Sequence, residues 1–355
     1  MPFETPHWPH GWTVQAASPR GCATETDGRL PYFLIAQGYI GQGMTGEVVQ
    51  AWDSRVADPA RAQVAVKLIP RGAAVDEYVK REVLHLHNLW HAHIVLFREV
   101  CLSPSHLCIL MEPLAGGSVL DHVRKCGRLE ESLSRWFLQQ AVMAVDYSHM
   151  MGVCNRDIKL AHLLMADPSE ACVKLIDFGA CKHDDDSEPD TYIGTRSYMA
   201  PEVLACMPDP KSRRPRWYDH GKGRYDGRLA DIWSLGICLF QMLFGIDEQL
   251  VLEHAPSKRS SVVFPCGEGD GGRAAVSLSP ECRDLLNRVL QYLPENRLGM
   301  DGIWAHPWFA KDLPPGSGRE HNLKLALAKT EEMHSVPGAQ SEREILQILK
   351  EARTA

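Results

Sequence analysis

The sequence predicts an α+β chain in two lobes, a small β-rich lobe followed by a larger helical one, and three observations lead there. At 355 residues the chain exceeds what a single hydrophobic core usually serves. From Pro31 to about Leu110 the apolar residues come in short β-rich runs, YFLIAQGYI, GEVVQAWD, QVAVKLI and LCILME. From about Leu120 they lengthen into the helical stretches LEESLSRWFLQQAVMAVDYSHMM, LADIWSLGICLFQMLFG and SPECRDLLNRVLQYL.

In chain order, residues 1–31 (MPFETPHWPHGW onward) lack any period and are expected to be a mobile extension. One helical segment, VDEYVKREVLHLHNLW, interrupts the β-rich part. The stretches Cys206 to Gly227 and Glu253 to Ser277 are rich in Pro, Gly, Ser and Arg and are expected to be exposed insertions. No internal repeat or heptad array is visible.

Composition excludes several classes of function. With 45% hydrophobic and 23% charged residues the chain reads as an ordinary globular protein. A net charge of -7 argues against general nucleic-acid or anionic-membrane binding, which needs clustered Lys and Arg. The 11 cysteines form no CxxC pair and are expected to be reduced thiols. No leader-like apolar segment opens the chain, and no run of about 18 apolar residues suggests a membrane span. A cytoplasmic protein with nuclear access is expected.

The chemistry begins at Gly41-Gln42-Gly43-Met44-Thr45-Gly46-Glu47-Val48. Glycines let backbone approach an anion closely, as a cover over phosphates requires. A dinucleotide-binding loop would need a helix next, whereas Glu47 to Trp52 continues as a strand, and the Gly-Lys-Ser/Thr of a Walker loop is absent. In Val64-Ala65-Val66-Lys67 one lysine sits in an apolar strand, where it is costly to desolvate without anionic partners. A phosphate and a carboxylate would supply them. Glu82 on the following helix is the best-placed carboxylate, with Glu77 as the alternative. Asp177-Phe178-Gly179, after the apolar run VKLI, places a carboxylate at a strand end beside a flexible glycine, which suits a magnesium ligand.

Taken with the catalytic-loop stretch Asn155-Arg156-Asp157-Ile158-Lys159, with Ala200-Pro201-Glu202, with Asp231-Ile232-Trp233-Ser234-Leu235-Gly236 and with Arg297 of PENRL, these motifs resemble the eukaryotic protein kinase family over Tyr32 to Phe309. The resemblance implies the bilobal protein kinase fold. It implies lobes at about 32–111 and 115–309, followed by a regulatory tail at 310–355. It implies ATP with Mg2+, Mn2+ being the other candidate, and protein substrates with Ser/Thr acceptors. Lys67 would hold the phosphates and Glu82 would orient it. Asp157 would accept the proton of the substrate hydroxyl, Lys159 would neutralise the transferring phosphoryl, and Asp177 would bind the metal. Ile40, Gly41, Gln42, Gly43, Gly46, Val48, Ala65, Met111, Glu112, Leu114 and Leu164 would surround the nucleotide, with Met111 behind the adenine and Glu112 and Leu114 offering backbone hydrogen bonds. Asp231 would brace the catalytic loop and Glu202 would pair with Arg297.

The tail narrows the resemblance. Ser341-x-x-Glu344 forms a capping box ahead of Ile345, Leu346, Ile348 and Leu349, an apolar stripe on a helix at about 341–352. It is similar to the tail helix of the plant osmotic-stress-activated, sucrose-nonfermenting-related kinases of subfamily two, as are SPECRDLL, HPWFAKDLP and YDGRLADIWS. That likeness implies a green-plant or algal source, a place in stress signalling and a tail that keeps the Lys67–Glu82 pair closed. An upstream kinase or phosphatase would act on the activation segment CKHDDDSEPDTYIGTRSYMAPE. Arg156 would clamp a phosphate there, on Thr191 ahead of Ser187 or Tyr192, while Thr195 would bond the catalytic loop. The acidic run Asp184 to Asp186 is read as solvated charge, with phosphate mimicry as its alternative, and the basic run Lys211 to Arg216 as exposed loop, with a nuclear address or docking patch as its alternative. A monomer is expected.

The catalytic loop departs from the family pattern HRDxxxxN at Asn155, in place of the histidine, and at His162, and between them Leu160 stands for a usual proline and Ala161 for a usual acid. His162 takes the place of an asparagine whose amide oxygen binds a second magnesium, and imidazole suits softer metals than magnesium. Losing a ligand there should cost at least roughly 10- to 100-fold in metal affinity or activity. Two readings follow: a serine/threonine kinase weakened or shifted in metal preference, and a nucleotide-binding pseudokinase acting as a scaffold.

Overall fold

The computed structural model describes residues 13–16, 32–43, 45–58, 62–179, 181–183, 195–206, 225–247, 250–254, 260–265, 277–313, 317–332 and 340–354. The chain divides into two compact units. One comprises Met1–Trp90, Val95–Leu114 and Glu332–Ala355, the other His91–Ile94 and Ala115–Glu331.

The first unit is built on a six-stranded sheet in the order β1-β2-β3-β4-β6-β5. Its strands are β1 (Thr13–Ala16), β2 (Tyr32–Gln42), β3 (Glu47–Asp53), β4 (Gln63–Pro70), β5 (Phe97–Leu102) and β6 (His106–Met111), each antiparallel to its neighbours. Strand β1, paired with β2 from Thr13↔Ile35 to Ala16↔Tyr32, lies where the sequence suggested only a mobile extension. Its four residues are too few to show a period of their own. Pairing to a long neighbour defines it.

The helix Glu77–Asn88 starts where Asp76 accepts hydrogen bonds from the amides of Tyr78 and Val79 at 2.9 and 3.0 Å. Its buried residues, Val79, Glu82, Val83 and Leu86 with His85, recur at helical spacing, so one charged residue shares the apolar face. Against that face lies the tail helix Glu342–Arg353, which opens with the full capping box of Ser341 and Glu344. Ile345, Ile348, Leu349 and Ala352 enter a core cluster with Ile69, Val75, Val79, Val83, Val100, Leu107 and Ile109. Each fully buried Ile or Leu contributes roughly 1.5–3 kcal/mol. Leu346, assigned to the stripe from sequence, is 37% exposed, and Ala352 is buried in its stead. Positions 345, 348, 349 and 352 keep one helical face, from which 346 is turned by about 100°. Gln340 fastens the start of this segment, its side-chain amide donating to Val100 O and accepting from Val100 N, both at 2.8 Å.

The second unit is helical, with Phe137, Tyr147, Phe178, Phe240, Trp308 and Phe309 among its largest fully buried side chains. Its long helices are Glu131–Met150 and Gly227–Phe244, with Pro280–Val289 packed on the latter. The helix Gly227–Phe244 is long and apolar enough to cross a membrane by length and composition, which the sequence reading did not anticipate. It is buried without interruption from Ala230 to Phe240 inside this unit. Among the described residues the unit also holds three two-stranded ribbons: Val153–Cys154 with Lys182–His183, Leu163–Asp167 with Glu170–Leu175, and Val251–His254 with Ser260–Val263. The last runs from Val251 into the stretch 253–277, which the sequence marked as an exposed insertion. Of the insertion 206–227, residues 207–224 lie outside the described residues.

No disulfide links the described cysteines.

Candidate active site

In the first unit the glycine stretch is the turn between β2 and β3, closed by Gly43 N donating to Gly46 O at 2.8 Å. A Cβ on Gly46 would stand 2.2 Å from Leu68 O, so packing against β4 alone requires glycine there. A Cβ on Gly41 would meet nothing within 4 Å, whereas one on Gly43 would stand 3.3 Å from Gly46 O, a tight contact, and 3.5 Å from Lys67 Cε. Ile40 and Gln42 lie on β2, Val48 faces Lys67 in the β3–β4 register, and Ala65 pairs with Met111.

Lys67 is 6% exposed and Glu82 3%, and Lys67 Nζ donates to Glu82 Oε1 at 2.5 Å. A buried lysine is tolerated because its partner is this close. Glu77 stands in the first helical turn, with 52% of its side chain exposed, and pairs with Lys80 and Arg353. The alternative to Glu82 is thereby removed, since a residue five positions earlier on the helix faces another direction. At the end of β6, Glu112 N donates to Leu96 O at 3.0 Å and Glu112 Oε1 accepts from Leu96 N at 2.7 Å. The Glu112 amide is thus committed within the protein, and what it can offer a ligand is its carbonyl. Leu114 is half-buried at the end of this unit's second segment.

In the second unit the catalytic-loop residues stand on irregular backbone. Arg156 and Asp177 both have φ of 66°, a left-handed conformation rare outside glycine. Asp231, fully buried, holds the first of them in place. It accepts from Asn155 N at 2.9 Å and Arg156 N at 2.7 Å, and lies 2.8 Å from His149 Nε2. Asn155, also fully buried, accepts from Asp157 N at 3.1 Å and donates from its amide nitrogen to Asp177 O at 3.1 Å. It therefore ties the catalytic loop to the Asp177 turn. Counted from sequence as a departure from the family pattern, Asn155 is a satisfied link.

The Asp157 carboxylate is held on both oxygens. Oδ2 accepts from Lys159 Nζ at 2.7 Å, and Oδ1 accepts from Thr195 N at 2.8 Å and Thr195 Oγ1 at 3.2 Å. Lys159 Nζ also donates to Thr195 Oγ1 at 2.9 Å. The Arg156 guanidinium lies 5.7 Å from the centre of the Tyr225 ring, and its Nε has no hydrogen-bond partner among the described residues. Leu164 sits on the ribbon strand Leu163–Asp167, opposite Lys174. Arg297 grips Glu202 with two bonds of 2.6 and 2.9 Å and donates to Leu229 O at 2.7 Å, a buried structural anchor.

His162 lies 3.0 Å through Nδ1 from Asp157 O and 3.6 Å through Nε2 from Asp177 Oδ2. A carbonyl oxygen can only accept, so Nδ1 carries the proton. Burial pushes the imidazole below its ordinary value, against the pull of Asp177, and favours the neutral ring. Its Nε2 lone pair then faces the Asp177 carboxylate, with Asp157, His162 and Asp177 offering ligand atoms all within 4.8 Å of one another. This donor set fits a divalent cation: the carboxylates suit magnesium, and a histidine whose other nitrogen donates to a backbone carbonyl is a usual ligand of softer metals.

Thr191, Ser187, Tyr192, the acidic run Asp184 to Asp186 and the basic run Lys211 to Arg216 lie outside the described residues. Sequence reasoning missed His149 as a third partner of Asp231, the linking role of Asn155 and the fastening by Gln340. Short-range patterns carry no signal for any of them.

Residues 35–309 match the family model described as protein kinase domain. The chain is 36% identical over 290 residues to serine/threonine-protein kinase SAPK9 of Oryza sativa subsp. japonica, covering 81% of this chain and 74% of that protein. It is 36% identical over 290 residues to serine/threonine-protein kinase SRK2E of Arabidopsis thaliana, with the same coverage of 81% and 74%. Over 321 residues it is 35% identical to serine/threonine-protein kinase SAPK2 of Oryza sativa subsp. indica, covering 88% of this chain and 86% of that protein.

Proposed function

This chain belongs to the protein kinase family and is a serine/threonine protein kinase, and from that premise we propose how its residues divide the transfer of the γ-phosphoryl group of ATP to protein hydroxyls. The family implies ATP and a divalent metal. Relatives that are all named as kinases give no support to the scaffold alternative.

The observation that carries the assignment is the Asp157 carboxylate, held by Lys159 on one oxygen and by Thr195 on the other. A carboxylate fixed in this way is positioned to accept the proton of an incoming serine or threonine hydroxyl. Lys159, already in contact with it, neutralises the transferring group. Lys67, kept in place by Glu82, holds the nucleotide phosphates. Asp177 and His162 are the residues that would hold the divalent cation, which when bound neutralises charge on the phosphates. The imidazole shifts preference from magnesium toward manganese. Arg156, with its unbonded Nε, receives a phosphate on the activation segment, Thr191 being the expected carrier. The kinase acts in the cytoplasm and nucleus as a monomer, in stress signalling.

Phosphoryl transfer to a basic Ser/Thr peptide, measured in magnesium and in manganese, tests this. Asp157→Ala should lower turnover by roughly 10²- to 10⁴-fold. His162→Asn should raise magnesium-dependent turnover by roughly 10- to 100-fold and remove any manganese preference. Undiminished transfer in Asp157→Ala would sink the role of the base, and an unchanged metal ratio in His162→Asn would sink the ligand assignment.

A further inference from the structure

Cys101 and Cys108 stand directly opposite each other in the antiparallel pairing of β5 with β6. Directly opposed residues share one face of a sheet, so both side chains enter the same core cluster, among Val49, Ala51, Val64, Val66, Leu68 and Leu110. They are 1% and 0% exposed, and neither can swing away from the other into solvent. At the hairpin end Ser103 N donates to His106 O at 2.8 Å. Hydrogen-bonded and non-hydrogen-bonded pairs alternate along a ladder, so 101 and 108 form the hydrogen-bonded type, with Cα atoms roughly 5.5 Å apart. That separation lies within the roughly 4.4–6.8 Å window of natural disulfides. The hairpin turn, Pro104 and Ser105, is exposed, so a short local opening brings the pair to water. The Cys108 thiol is held below its ordinary value by the hydrogen bond with Cys101 and then by Ser103, which favours the reactive thiolate.

We propose that Cys101 and Cys108 are a cross-strand dithiol that a hydroperoxide oxidises to an intramolecular disulfide, stapling β5 to β6 beside Leu68, the neighbour of Lys67 in β4. The Cys108 thiolate attacks a peroxide oxygen, the O–O bond breaks, and the leaving oxygen departs as water after taking a proton. The resulting sulfenic acid is attacked by the Cys101 sulfur, the S–S bond forms, the S–O bond breaks and a second water leaves. Two thiols and one hydrogen peroxide give one disulfide and two waters. The sulfurs are oxidised and the peroxide oxygens reduced. A purely structural role as two small apolar side chains would require no such reactivity.

The test uses the full chain. After hydrogen peroxide treatment the protein is unfolded in iodoacetamide without reductant and digested with trypsin. Residues 99–124 come away as one fragment, because no Lys or Arg lies between Arg98 and Arg124, and it contains Cys101 and Cys108 and no other cysteine. The expected product is this fragment unalkylated and lighter by two hydrogens, becoming doubly alkylated when dithiothreitol precedes the iodoacetamide. A fragment doubly alkylated without reductant, under treatment that has oxidised the exposed Cys126, overturns the proposal. So does a fragment carrying sulfinic acid with no disulfide. In Cys108→Ala the remaining Cys101 should be alkylated or singly oxidised. Should that variant not fold, the wild-type fragment mass decides alone.

Discussion

Lys67 and Asp157 are both charges held largely away from water, and they are held in opposite ways. Lys67 stands on a regular strand and its partner Glu82 on a regular helix, so strand register and helical periodicity set the face each occupies and packing of the two elements brings them to 2.5 Å. Asp157 stands on a loop that no period governs, beside a residue in left-handed backbone. Its position depends on Asp231, far along the chain on the helix Gly227–Phe244, which fixes Asn155 and Arg156 by their amides. A charge on regular structure needs one good partner, whereas a charge on irregular structure needs a scaffold of several.

The sharpest way to break this contrast is Asp231→Ala. It leaves the buried Asn155 amide, the part-buried Arg156 amide and His149 without this acceptor, at about 1–3 kcal/mol each. The sum is on the order of 5 kcal/mol. Urea unfolding should show that loss together with loss of phosphoryl transfer, and a stable, active variant would refute the brace. Lys67→Met comes next. It removes the ammonium that the buried Glu82 meets and should cost about 3–5 kcal/mol. Adding Glu82→Leu should restore most of the stability and none of the activity. A double variant as unstable as the single would mean that the pair is not the source of the cost.

Within the first unit the tail separates packing from surface charge. Ile348→Ala should lower stability by about 2–4 kcal/mol, because the side chain is 2% exposed in the core. Arg353→Ala removes only an ion pair whose side chains are 58% and 52% exposed, and should change stability by at most about 1 kcal/mol. Equal effects in thermal unfolding would contradict the assignment of tail stability to its apolar face.

A pH titration sharpens the view of the second unit. Burial, and after it the neighbouring His93, lowers His91 from 6.5 to about 3. The folded state therefore stays neutral between these values while the unfolded chain takes up a proton. Stability is complete above pH 6.5 and falls as the pH drops toward 3, by about 1.4 kcal/mol per pH unit for one proton. The slope of the urea midpoint between pH 7 and 5 should flatten in His91→Gln. A slope the same in both proteins would show that other groups govern the titration.

The residue pattern was enough for the β-rich first part, the helix bearing Glu82, the long helices and the tail helix, because each carries its own period, cap or stripe. Lys67, Asp157, Lys159 and Asp177 were legible because charges flanked by apolar runs stand out. Asn155 and His162 were visible only as unusual letters. Their meaning depends on which nitrogen or oxygen faces which backbone group, and that is set by a fold in which Asp177 O and Asp157 O come within reach.

By itself the sequence determined the order of elements, the charged residues available to the site and the two cysteines seven positions apart, since these follow from local spacing. The tertiary structure decided that Glu82 and not Glu77 meets Lys67, that Asp231 gathers three donors, that Gln340 fastens the tail to Val100 and that the two cysteines face each other. Each of these is a meeting of residues distant in sequence or a matter of register. A chain's local periodicities fix which side of an element a residue occupies, and only packing fixes what stands opposite it.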